Sequence, residues 1–200
     1  MTEDTLYLYP GSAVLRNKLG ITDKERLDRI ERLFVVERAA EGIPTGRFDL
    51  AHLRAIHRHL FQDVYEWAGE LRKVEIAKDG HQFQFRQYLE TGMADIARRL
   101  EKAKFLTGLS RADFAAKAGE IMGDVNYVHP FREGNGRTQL YFLEQLARQA
   151  GHPIDLRRLD RQRWIAAARA AHMGDYKLMG DEIVRAAGPE FGSSDMHSCT

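Results

Sequence analysis

Apolar residues recur at helical spacing through most of the chain. Between residues 23 and 41, Leu27, Ile30, Leu33 and Phe34 mark one face, Thr22 and Glu25 have the spacing of a capping box, and Gly42 and Pro44 stop the run. Asp49 is placed to cap a second helix with the stripe Leu50, Leu53, Ile56, His57, Leu60 and Phe61. From Val74 to Phe85 the period falls to two. Val74 and Ile76, then Asp79-Gly80, then Phe83 and Phe85, predict a hairpin with a two-residue turn. Helical spacing returns with Leu89, Met93, Ile96 and Leu100, and after Ser110 with Phe114, Ala118, Ile121, Met122 and Val125, where Pro130 closes the run. Another helix is predicted from about Arg137 to Ala150, and Asp160 and Asp175 are expected to cap two more. The expected fold class is all-α with one hairpin, in one domain over residues 1–188. Residues 1–20, around Tyr9-Pro10-Gly11, read as an irregular lead-in, and the small, polar tail 189–200 as disordered or a vector-derived scar.

At 200 residues, 44% hydrophobic and 30% charged, such a chain can bury a core without disulfides or structural metal. A net charge of +1 supplies no field for nucleic acid or an anionic membrane, so a bound phosphate needs a local site. The single cysteine, Cys199, excludes a disulfide framework and a multi-cysteine zinc site. No apolar stretch has membrane-spanning length, and the start MTEDTLYLYPGS lacks a secretory signal, so the expectation is a protein that neither spans a membrane nor leaves by the general secretory route.

The chemistry concentrates in residues 129–140, HPFREGNGRTQL, at a junction between two predicted helices. Gly134, Asn135 and Gly136 permit a tight turn whose N–H groups converge at the positive start of the next helix, which is an anion cradle. Arg137 is a fixed cation for phosphate oxygens, Glu133 a hard oxygen ligand suited to Mg²⁺, and His129 a titratable base.

This segment resembles the signature of the Fic domain family, H-x-F-x-D/E-G-N-G-R-x-x-R, matching seven of its eight specified positions. The likeness extends to YPGSAVLRNKLGI at 9–21, IHRHLF and YEWAGELR within 56–72, and IAKDGHQF at 76–83. It implies a Fic-like helical bundle with the motif loop beneath a β-hairpin flap, and transfer of AMP from ATP to a protein hydroxyl. His129 would then be the general base, Glu133 the Mg²⁺ ligand, and Gly134, Asn135, Gly136 and Arg137 the nucleotide-binding residues. An exposed hairpin edge can pair with an extended target segment, which makes Ile76, Lys78 and Phe83 the candidate docking residues, although Ile76 and Phe83 equally suit packing of the hairpin onto the body. Tyr176 is a candidate for the adenine pocket or for simple packing.

One position departs from the pattern. Leu140 stands where the family has an arginine that orients the γ-phosphate, which leaves open slowed AMP transfer, another nucleotide or phosphate-containing donor, or a catalytically weak binding protein. The family's inhibitory pattern, S/T-x-x-x-E-G/N, does not occur, so the chain resembles the branch whose inhibitor is a separate small antitoxin supplying a helix in trans. Relatives of that kind act in their own cytoplasm or are delivered into a host cell. His52, His57 and His59 are expected to be packing or surface residues without a metal, Tyr65 and Trp67 core anchors, and Arg157, Arg158, Arg161 and Arg163 a solvated face.

Overall fold

The computed structural model describes residues 3–78 and 80–187, so the predicted tail and Asp79 of the hairpin turn lie outside the described residues. Seven helices follow in order: α1 (Lys24–Ala40), α2 (Leu50–Phe61), α3 (Leu89–Lys102), α4 (Arg111–Val128), α5 (Asn135–Gln149), α6 (Arg161–His172) and α7 (Lys177–Ala186). Between α2 and α3, β1 (Ala77–Lys78) and β2 (His81–Gln82) form an antiparallel pair in the register Ala77 to Gln82 and Lys78 to His81. Ahead of α1, Glu3–Leu6 form a 3-10 turn, Leu8 and Leu15 make a β-bridge, and Arg16 N donates to Tyr7 O and Lys18 N to Val64 O.

Most helices begin where a side chain can take up an orphan N–H. Asp49 accepts from His52 N, Ser110 from Asp113 N and Asp160 from Arg163 N. Two caps differ from expectation. In α1 the cap is Asp23, which accepts from Arg26 N, and in α7 Tyr176 holds the cap position while Asp175, one residue earlier, accepts from Lys177 N at 3.1 Å. In helix α1, Leu27 is buried and Ile30 and Phe34 pack against the core as expected, Leu33 is 65% exposed, and Glu31 and Val35 join the inward face. The inward face is thus wide enough to bring a carboxylate into the interior, for a reason found at the site.

Helix α4 is central. It packs against α3, α5, α6 and α7, while α2 lies on α1 and α5. Gly119 on α4 and Gly180 on α7 allow backbone contact, since a β-carbon on Gly119 would stand 2.8 Å from Gly180 N. Phe48, Phe61, Phe114, Phe131 and Phe142 belong to one core shared by these layers. That core leaves the α4–α5 junction at the surface with a rigid helix on either side.

Candidate active site

The junction is built so that almost none of its parts can move alone. Helix α4 ends at Val128, and His129 takes a left-handed backbone (φ 46°, ψ 61°) rather than the extended one that a following proline favours. Its carbonyl accepts from Arg72 Nε at 2.8 Å, and the Pro130 carbonyl accepts from the Arg72 backbone N–H at 2.9 Å. Phe131 then drops into the core, and its backbone is closed into a ring by Asn135, whose Oδ1 accepts from Phe131 N (2.9 Å) and whose Nδ2 donates to Phe131 O (2.8 Å). His57 of α2 stacks on the Phe131 ring at 3.9 Å. Its Nδ1 accepts from Gly69 N at 2.8 Å, which leaves Nε2–H to donate to the Glu133 carbonyl at 2.9 Å. Burial, with the Arg137 charge as a lesser contribution, pushes the His57 imidazole down to about 4 against the opposing pull of that carbonyl, so the ring works as a neutral, two-ended strut.

Gly134 ends the loop at φ 81°, and a β-carbon there would lie 2.5 Å from the Phe61 ring. Both facts demand glycine. Helix α5 begins at Asn135, two residues before the predicted start, so the backbone N–H groups of Asn135, Gly136 and Arg137 form its first turn. No side chain caps it, and around Gly136 there is open space. An uncapped helix start that opens to solvent is a ready anion site.

The titratable groups stand around this opening. His129 is half-buried, its ring stacked on Phe83 at 3.9 Å and 16°. Its Nδ1 lies 3.3 Å from the Asn126 carbonyl, which can only accept, so Nδ1 carries the proton and Nε2 keeps a free lone pair. Burial first, opposed by that carbonyl and aided by the charges of Arg72, Lys78 and His172, pushes His129 down to about 4. The ring is therefore a neutral proton acceptor at pH 7. The half-exposed Glu133 carboxylate accepts from Gly134 N at 2.9 Å, and Arg137 reaches the same oxygen at 3.6 Å.

Arg137 is fixed from behind. Its Nη1 lies 2.5 Å from Glu31 Oε1, and its guanidinium sits over the Phe61 ring at 4.7 Å. The other Glu31 oxygen accepts from Tyr65 OH, whose titration burial and Glu31 push upward. Glu31 is 6% exposed, which explains why α1 turns this position inward. The arrangement pins the cation in one orientation at the start of α5.

Strand pairing in the hairpin spans fewer residues than the alternation from Val74 to Phe85 predicted. Phe83 is buried over His129, and its N–H bonds Ile76 O at 3.0 Å in continuation of the strand register. Ile76 is half-buried and Lys78 exposed. Tyr176 packs on α4: its OH donates to Asp124 Oδ1 at 2.7 Å, its ring packs over Gly123, and this pairing pushes its phenol up to about 12. Its contacts thus lie along α4. Among the described residues no group of three or more His, Cys, Asp or Glu could hold a metal, so an ion here would draw one carboxylate, Glu133, from the protein.

Sequence reasoning missed Glu31 and Arg72, and took His57 for packing alone. Glu31 had one signal, a carboxylate four residues from both Leu27 and Val35. Arg72 had none, because the carbonyls of Val128 and His129 that it joins to the hairpin lie more than fifty residues along the chain.

A helical bundle presenting a base, a carboxylate and an open helix start beneath a hairpin defines a Fic-type fold. The family profile described as Fic/DOC family matches residues 47–147, and the chain belongs to that family. It is 43% identical to protein adenylyltransferase VbhT of Bartonella schoenbuchensis over 90% of this chain, although it spans only 38% of that protein. Against the Sinorhizobium fredii protein named "Probable protein adenylyltransferase y4lH" it is 42% identical, covering 92% of this chain and 95% of that one. Among solved structures, the BepC effector protein of Bartonella tribocorum with bound AMPPNP superposes with a TM-score of 0.83 at 29% identity, covering 91% of this chain and 96% of that one.

Proposed function

We propose that the protein transfers AMP from ATP to a hydroxyl of a target protein. The observation that carries this reading is the neutral, stacked imidazole of His129 at one end of a locked loop whose other end is an open helix start. His129 Nε2 takes the proton of a target Ser, Thr or Tyr hydroxyl, the oxygen forms a bond to the α-phosphorus, and the bond to the leaving pyrophosphate breaks. The first-turn N–H groups of α5 and the remaining N–H groups of Arg137 balance the phosphate charge. The free oxygen of Glu133, exposed beside the anion cradle, fits Mg²⁺, which usually takes one or two carboxylates and completes its shell with phosphates and water. Bound there, the ion neutralises charge on adjacent phosphates.

The target docks on the hairpin. Support comes from the exposed backbone of Ala77, Lys78 and His81, which can pair with an extended segment next to Phe83 and His129. Inhibition comes from a separate small protein, a reading supported by the lack of the family's inhibitory pattern in this chain. No helix among the described residues is long and apolar enough to cross a membrane, and the reaction runs in a cytoplasm, the bacterium's own or a host's.

The test uses ATP labelled at the α-phosphate, Mg²⁺ and a cell lysate as acceptor. Label on protein that falls at least 10³-fold with His129→Ala, while calorimetric ATP affinity holds, is the expected result. Equal label with and without His129 sinks the assignment.

A further inference from the structure

Arg72 has a side chain with 0% exposure, yet its single carboxylate neighbour, Glu75, lies 3.3 Å away and serves other donors as well. Its guanidinium is spread over backbone carbonyls instead. Nε donates to His129 O (2.8 Å), Nη1 to Val74 O (2.7 Å), and Nη2 to Gln84 O and Val128 O (3.5 Å). Val74 and Gln84 are the two legs of the hairpin, and Val128 and His129 are the end of α4. Four carbonyls from three segments therefore converge on one cation.

Filling this space with an apolar side chain would avoid the cost of burying a charge, but it would leave those carbonyls without donors. The convergence also meets a local need. His129 holds a left-handed backbone that a residue with a β-carbon disfavours, and the bond to its carbonyl holds that conformation in place. Gln84 N donates to Tyr127 O at 3.0 Å, so one hairpin leg has a tie of its own, whereas Arg72 joins both legs to the base. We infer that Arg72 is a positioning residue that fixes the hairpin against the His129 end of the loop, and so sets where a target hydroxyl stands relative to the base. A lysine keeps the charge but cannot span the four carbonyls, because its donors radiate from one nitrogen and a guanidinium's lie on a planar fork.

The kinetic arm of the test rests on the transfer reaction proposed above; the spectroscopic arm does not. In the full chain, Arg72→Lys should lower label incorporation at saturating ATP about 10²-fold while calorimetric ATP affinity stays within threefold. The NMR signal of His129 Cε1 should be single and narrow in the wild type and broadened or doubled in Arg72→Lys. Arg72→Gln should in addition raise the pH at which that signal titrates, with Lys78, His172 and the Asn126 carbonyl unchanged around the ring. Glu75→Gln removes charge from the solvent end of the same cluster and should lower incorporation about threefold, which keeps the idea testable if Arg72→Lys does not fold. Wild-type rate and an unchanged His129 signal in Arg72→Lys overturn the inference, and so does a wild-type rate in Glu75→Gln when Arg72→Lys is unfolded. No incorporation by the wild type, with the His129 signal still altered by Arg72→Lys, overturns the transfer reaction and upholds the positioning role.

Discussion

The catalytic loop and the hairpin flap touch through Phe83 and Arg72, yet they are built in opposite ways. In the loop, Phe131 is fully buried, Asn135 closes the backbone on itself, and Arg72 and His57 hold the two ends from outside. In the flap, two strand pairs and one further bond from Phe83 N to Ile76 O make up the ladder among the described residues, and Ala77, Lys78, Gly80 and His81 are exposed. The difference follows from what each must do. Proton transfer and phosphate binding need fixed distances, so every movable group of the loop is tied down. A surface that accepts varied partner backbones, the role proposed above for the flap, needs free donors and acceptors.

Two glycines put this contrast to a direct test. Gly134 in the loop and Gly80 in the flap share φ 81°, so replacement by alanine imposes the same backbone penalty at both, about 1 kcal/mol. They differ in surroundings. A β-carbon at Gly134 meets the Phe61 ring at 2.5 Å, and at Gly80 it meets nothing within 4 Å. Gly134→Ala should therefore cost about 2–4 kcal/mol in denaturant unfolding and lower ATP affinity with it, and Gly80→Ala about 1 kcal/mol with ATP affinity intact. Equal losses at the two positions would remove the distinction between locked loop and open flap.

Next in size is acid sensitivity. His57 is buried neutral with its folded value at about 4, against about 6.5 in the unfolded chain. Below 6.5 the unfolded chain binds a proton that the folded one refuses, so stability falls as pH drops from about 6.5 to 4 and is fully present above 6.5. The loss reaches about 3 kcal/mol from this residue alone. His57→Gln should be less stable at pH 7, since Gly69 N or the Glu133 carbonyl loses good geometry, but its unfolding free energy should depend less steeply on pH between 6.5 and 4. An unchanged slope would mean that His57 is not the buried neutral strut on which the Glu133 end of the loop depends.

Much of this contrast was legible in the residues before any coordinate. Alternating and helical patterns located α2, α3 and α4 because their stripes are apolar throughout, and the loop stood out because His129, Glu133 and Gly134 to Arg137 carry chemistry in consecutive positions. Hidden features were those whose cause lies far away in sequence. Glu31 faces inward because Arg137 and Tyr65 pair with it, and no apolar pattern of α1 marks that position. Phe83, read as a strand residue, also stacks on His129, a partner more than forty positions away that no alternation announces. Arg72 is indistinguishable from a surface arginine until the carbonyls it binds are brought together.

Leu140 gives the smallest and most specific test, because it changes the loop side of the comparison without touching the flap. It is half-buried on α5, three residues after Arg137 and so on the same side of the helix. Replacing it with arginine puts a second guanidinium one turn below the anion cradle, where a charge-assisted contact to an outer phosphate contributes about 1.5–3 kcal/mol. Side-chain ordering and the competing pull of nearby carboxylates take back part of that, so Leu140→Arg should raise the rate of AMP transfer about tenfold. The gain should appear at saturating target and vanish when the donor is ADP, which lacks the phosphate the new side chain would reach. A gain of the same size with both donors would show that the added charge acts on the loop at large. No gain with either would mean that the cradle, Arg137 and Glu133 already complete the phosphate site, and that leucine at this position is no loss to the chemistry.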